Sequence, residues 1–215
     1  RADGDALATV QLFKLLLNKD TSKEIVKEAV KSNNQRELAP KLRTILDDLP
    51  SNTGLFYLHN GSSNILYIGK GKNIRKTVNQ LFLRTSAKAK VLQNKVTSVS
   101  YEETGNELIA KLKYIEEINL NNPDFNYPNR PNYTNIDFSN ANLIVIDKGR
   151  TLGEKSVLLI ENNEFKGFCF SNLSYQVNNI EVLKNLISPM ENSVDNRNII
   201  KKYLQQNKVE EIIRF

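Results

Sequence analysis

Apolar residues recur at helical spacing near the start of the chain, at Ala6, Leu7, Val10, Phe13, Leu16 and Leu17, and Asn18, Lys19 and Asp20 end the stripe. The spacing predicts an amphipathic helix there. Thr21 and Ser22 can cap a second helix through about Ser32, and Pro40 suits the first turn of a third that runs to Asp48 before Pro50. At Gly54 the period changes: Leu55–Leu58 and Ile65–Ile68, joined through Asn60, Gly61, Ser62 and Ser63, read as a β-hairpin. Helical patterns follow at about Ile74–Arg84 and Ala87–Lys95, then a strand at Val96–Glu103. Leu108, Leu112, Ile115 and Ile118 next mark a helix over Glu107–Leu120, stopped by Asn121, Asn122 and Pro123. The order is ββααβα.

Residues 128–142, with Pro128, Pro131 and several Asn, have the composition of a linker. Beyond it, Leu143–Asp147, Ser156–Glu161 and Phe165–Phe170 read as strands, followed by helices near Ile180–Ile187 and Arg197–Gln205 and a last strand at Val209–Arg214. The fold class expected is α+β: an N-terminal helical connector, a small antiparallel sheet with flanking helices over 53–127, and a small C-terminal α+β unit over 143–215.

Composition adds two constraints. The 215 residues are 40% hydrophobic and 25% charged, which excludes collagen-like and largely disordered chains. The longest apolar runs are far shorter than the roughly 20 residues that span a bilayer, so no membrane partner is expected. The single Cys169 cannot form an internal disulfide, which fits a reducing, cytoplasmic location.

Charge changes the picture more. The net charge is +6, with 30 Lys and Arg against 24 Asp and Glu. Residues 62–101 hold eight basic residues and no acidic one: Lys70, Lys72, Arg75, Lys76, Arg84, Lys88, Lys90 and Lys95. Each could neutralise a phosphate, and each is a candidate nucleic-acid-binding residue. A solvated helix face is the alternative reading of the same run.

The hairpin, the glycine-bracketed Lys70 and the next helix resemble the GIY-YIG nucleases, the family of the excinuclease C subunit of nucleotide excision repair. The first motif falls on Gly54, Leu55 and Phe56, the second on Tyr67, Ile68 and Gly69, and the closing Pro-x-aromatic-Asn on Pro123, Asp124, Phe125 and Asn126. Arg1–Ala6 resembles the tail of the last motif of DnaQ-like (DEDDh) 3′–5′ exonucleases, with Asp5 at a position that holds the catalytic metals there; that motif's histidine would stand one position before Arg1. Together these resemblances imply the C-terminal part of a bacterial protein similar to the DNA polymerase III epsilon subunit. Residues 1–19 would be the last helix of an exonuclease domain and 20–52 a helical connector. Leu7, Val10, Phe13 and Leu17 are then expected to pack on that upstream domain or on the connector.

The resemblance also implies a chemical set: tyrosines near the attacking water, an Arg on the phosphate and a helix Glu on one divalent metal. Here the first-motif Tyr is Phe56, which has no hydroxyl. Tyr57 does not replace it, because consecutive strand residues face opposite sides. The Arg falls on Thr77, a further Tyr or His position on Leu81, and the Glu on Tyr114, a poor ligand for a hard cation. Glu107 and Glu117 lie on roughly the same helix face, so a displaced metal site is an alternative. Tyr67 is the remaining catalytic candidate, with Asp5 a second only beside an upstream domain, and no metal ligand is assigned. Mg²⁺ or Mn²⁺ is expected only with residual nuclease activity. The expected function is DNA processing in replication or repair, with a GIY-YIG-like domain that binds DNA without cutting it. The alternatives are an active metal-dependent GIY-YIG endonuclease and a protein-interaction module of a replication or repair assembly. The partners expected are DNA, the upstream exonuclease domain and replication or repair proteins.

Overall fold

The computed structural model describes residues 6–12, 14, 38–126, 138, 141–172, 176 and 179–215. The chain divides into two compact units, residues 1–41 and 42–215. In the first, residues 6–12 and 14 are helical, and Leu7, Val10 and Leu12 are exposed. The expectations for Asp5, for the second helix and for most of the linker lie outside the described residues. No described helix is long and apolar enough to cross a membrane.

Helix α1 (Pro40–Asp47) leads into strands β1 (Gly54–His59) and β2 (Ile65–Gly71). Helices α2 (Ile74–Phe82) and α3 (Ala87–Lys95), strand β3 (Ser98–Glu103) and helix α4 (Glu107–Asn121) follow, in the ββααβα order read from the sequence. The strands form an antiparallel sheet in the order β2-β1-β3. Gly54 is required where β1 and β3 meet, because a Cβ there would lie 2.1 Å from the Glu102 carbonyl oxygen. Polar side chains start the helices: Asn73, Ser86 and Asn106 each accept a bond from a backbone N–H of the first turn. Asn122, at φ 43°, ends α4 in a left-handed cap just before Pro123.

The second sheet is built from β4 (Leu143–Lys148), β5 (Lys155–Glu161), β6 (Glu164–Ser171), β7 (Ser188–Pro189) and β8 (Glu211–Arg214), antiparallel in the order β7-β6-β5-β4-β8. Helices α5 (Ile180–Leu186) and α6 (Val194–Gln206) complete it. The two-residue β7 carries no periodicity and was not expected. Helix α6 begins three residues earlier than its apolar pattern, because Ser193 caps it through the Asn196 N–H.

Helix α4 is common to both cores. Ala110, Tyr114 and Ile118 face the small sheet at Leu55 and Ile68. Leu108, Ile109 and Leu112 instead join Val145, Leu158, Ile160 and Phe168 of the second sheet and Ile200 of α6. The far face of that sheet, with Ile144, Val157 and Cys169, is covered by Leu183 of α5. Cover on both faces explains why β4 and β5 are continuous apolar runs rather than alternating ones.

Candidate nucleic-acid interface

The pleat of β1 decides which aromatic groups meet. Leu55 and Tyr57 face α4, and the next residues, Phe56 and Leu58, face the other side. Phe56 is buried opposite Gly69, and a Cβ on Gly69 would stand 2.1 Å from the tip of the Phe56 ring. The glycine of the second motif is thus imposed by the aromatic residue of the first. Tyr67 shares this face, its ring centroid 6.1 Å from that of Phe56. Tyr57 packs with the α4 cluster. Burial first, then Glu117, Glu102 and Glu116, push its phenol far above the ordinary range, so it offers no substitute base.

A cavity of about 410 Å³ opens beside the outer edge of β2, below the corner between α2 and α3. It brings together Tyr67, Leu81, Tyr114 and Asn126 with Arg84 and Lys88 of the basic run. Asn126 accepts a bond from the Ile68 N–H and returns one to the Ile68 carbonyl, both 2.8 Å, and also donates to the Tyr114 hydroxyl at 3.3 Å. Phe125 adds a bond from its N–H to the Leu66 carbonyl, 3.0 Å. The Pro-x-aromatic-Asn segment thereby closes the exposed edge of β2. Thr77, where the resemblance implied an Arg, is not part of the cavity lining; its hydroxyl donates to its own helix, at the Asn73 carbonyl, 2.8 Å away.

The donor set does not fit a divalent cation. No carboxylate lines the cavity, and the described residues contain no cluster of three or more His, Cys, Asp or Glu able to hold a metal. Tyr114 offers a phenol, a poor ligand for a hard cation, and the Lys70 ammonium lies 4.2 Å from that ring's centroid. Glu107 is engaged by Lys72 at 2.6 Å and Lys111 at 3.9 Å. Glu117 takes a bond from Asn121 and lies with Tyr57. The Tyr67 phenol is raised above its ordinary value, by burial first and then by Tyr114, with Arg84 opposing. A raised phenol yields less of the tyrosinate that a general base requires.

The eight basic residues are not one patch. Arg84 and Lys88 line the cavity, and Lys88 and Lys95 stand 5.7 Å and 5.6 Å from the centroid of Phe125, another lining residue. Lys76 and Lys90 are exposed on α2 and α3. Lys70 lies with Tyr114 toward α4, on the face of β2 opposite to Tyr67. Lys72 pairs with Glu107 and Arg75 with Asp47, at 2.8 Å. Lys72 is 76% exposed, and such surface pairs are worth little, so a phosphate can displace the carboxylate. His59, at the hairpin end, bonds Ser100 at 2.8 Å and the Ser63 carbonyl at 3.3 Å, remote from the cavity. Phe125 is the lining residue that the sequence named only as part of a motif; the two lysines seated over its ring were legible as charge but not as neighbours.

The small antiparallel sheet and its flanking helices form an α+β unit around this cavity. Residues 52–127 match the family model of the UvrC-like GIY-YIG domain. The UvrABC system protein C of Borrelia hermsii is 35% identical over 92 residues, which is 42% of this chain and 15% of that protein. That of Borreliella burgdorferi is 38% identical over 79 residues, 36% of this chain and 13% of that protein. The chain thus spans about 15% of the length of these curated relatives or less. Among solved structures, the GIY-YIG N-terminal endonuclease domain of UvrC from Thermotoga maritima bound to its catalytic divalent cation, magnesium, is 19% identical. Its TM-score is 0.38, with 42% of this chain and 100% of that one covered.

Proposed function

We propose that this protein processes DNA in replication or repair, and that its GIY-YIG domain holds DNA without cutting it. The observation that carries the reading is the cavity beside β2, whose charged lining residues, Arg84 and Lys88, are all basic and which contains no carboxylate. Hydrolysis of a phosphodiester needs a base for the water, charge on the phosphate and a metal or acid for the leaving oxygen. Phe56 offers no proton acceptor, Thr77 has turned its hydroxyl into its own helix, and Tyr114 meets an ammonium rather than a cation site. Loss of one electrostatic donor alone costs about 100-fold or more in rate. What survives suits binding: a guanidinium, lysines seated on Phe125 and a phenol, arranged around a concave surface. An upstream 3′–5′ exonuclease, read from Arg1–Ala6, would then act on DNA that this domain positions.

The test is plasmid nicking with Mg²⁺ or Mn²⁺ beside DNA binding over a range of salt. The expected result is steeply salt-dependent binding with no nicking, and gain of nicking in the Phe56→Tyr, Thr77→Arg, Tyr114→Glu variant. Nicking by the unaltered chain that disappears in Tyr67→Phe would instead establish an active endonuclease. Absence of DNA binding would leave the protein-interaction alternative.

A further inference from the structure

The packing of α4 against α6 creates a second basic cavity, of about 290 Å³, from residues that no sequence run connects. Lys70 enters it from β2, Lys111 from α4 and Lys202 from α6, and Asp195 is the one carboxylate in the lining. Tyr114 and Tyr203 form its aromatic walls. The Lys70 ammonium lies 4.2 Å from the Tyr114 ring centroid and that of Lys111 5.4 Å from the Tyr203 centroid. The nearby carboxylate of α4, Glu107, is divided between Lys72 at 2.6 Å and Lys111 at 3.9 Å. Positive charge therefore exceeds negative inside a recess.

Holding like charges together in a partly desolvated recess opposes folding, and aromatic faces offset only part of that cost. Lys70 registers it: burial first, then the like charge of Lys111, lowers its pKa, and Glu107 counteracts only in part. An anion in the recess would remove the repulsion. Tyr114 lines both this groove and the cavity holding Tyr67, so the two openings meet at one ring. We infer that the α4–α6 groove is a phosphate-binding site, in which Lys70, Lys111 and Lys202 take the backbone of a DNA strand that continues past Tyr114 from the first cavity. This rests on the DNA-binding reading above. It extends the DNA track onto the C-terminal sheet unit, whose own composition is nearly neutral: residues 143–215 hold ten basic and nine acidic residues.

Lysine acetylation of the full chain, read by mass spectrometry with and without a duplex bearing a single-stranded extension, tests the inference. Inorganic pyrophosphate serves as the small-anion probe. DNA is expected to lower acetylation of Lys111 and Lys202 several-fold together with Lys88 and Lys95, leaving Lys166 on β6 unchanged. Lys202 is exposed, so Lys202→Ala preserves the fold; alone it should lower the slope of log K against log salt by about 0.7–0.9, and with Lys111→Gln by about twice that. Protection of Lys88 and Lys95 without Lys111 and Lys202, with an unchanged slope, would overturn the groove while the DNA-binding reading stands. Protection of Lys111 and Lys202 by pyrophosphate, with no effect of DNA on any lysine, would overturn both the DNA-binding reading and DNA as the groove's ligand.

Discussion

Asn126 separates two accounts of the same motif, an edge strap for β2 and a ligand contact in the cavity. Its amide completes the hydrogen bonding of Ile68 at both the N–H and the carbonyl, each at 2.8 Å, and Ile68 is 0% exposed. Asn126→Ala therefore leaves two buried backbone groups without a partner, each worth about 1–3 kcal/mol. Water can enter the space left by the amide, which places the sum near the low end, at about 2–3 kcal/mol. For a unit of this size that corresponds to a fall in Tm of roughly 5–10 °C. Equilibrium urea unfolding checks it: the midpoint should fall with the slope unchanged. Asn126→Asp sharpens the test. It keeps the acceptor for the Ile68 N–H but turns a carboxylate oxygen toward the Ile68 carbonyl, which raises the folded-state pKa of the new acid. Its deficit should then be largest at neutral pH and shrink as pH falls through that raised value, where protonation restores a donor. If Asn126→Ala unfolds like the unaltered protein yet no longer binds DNA, the strap account is wrong and the amide is a ligand contact.

Gly69→Ala should destabilise by about 1–3 kcal/mol, because its Cβ would fall 2.1 Å from the buried Phe56 ring. A smaller side chain at Phe56 should recover part of that loss in a double-mutant cycle, whereas simple additivity would refute the contact. The Glu154 carboxylate bonds the Arg150 guanidinium at 2.6 Å and 3.1 Å and the Arg150 N–H at 2.6 Å, and the guanidinium holds it below its ordinary value. A depressed carboxylate contributes stability that is present above its unfolded pKa and lost as pH falls through the folded one. The stability difference between the unaltered chain and Glu154→Gln should accordingly be full near pH 7 and narrow below about pH 4.5, read from urea midpoints. Burial pushes the Cys169 thiol up to about 11, so at pH 8 a thiol reagent should label the native protein on the order of 100-fold more slowly than free cysteine. Labelling at the free rate would contradict its place beneath α5.

Local pattern carried much of the fold. Helices α3 and α4 and the hairpin of β1 and β2 lie within a residue or a few of where periodicity and turn residues put them, because caps such as Ser86 and Asn106, and the stop at Asn122 and Pro123, act over a single turn. The β7 strand escaped notice, since two residues have no period and gain their conformation from pairing with β6. The candidate site was half legible. Motif order named Tyr67, Tyr114 and Asn126, and Leu81 by its spacing from Thr77, and the cavity unites them. The role of Asn126 was not readable, because its partner, Ile68, lies 58 residues away in the chain.

By itself the sequence determined the ββααβα order of elements between Gly54 and Asn121 and the concentration of positive charge in residues 62–101. Tertiary structure alone decided what those charges face. Residues three apart on β2, Tyr67 and Lys70, fall on opposite sides of the sheet, and Lys72 and Arg75 meet carboxylates from α4 and α1. Lys111 and Lys202, 91 positions apart, line one groove. Electrostatic energy depends on separation through space, which chain order does not encode, whereas the hydrogen bonds and apolar stripes that set helices and strands are written in neighbouring residues.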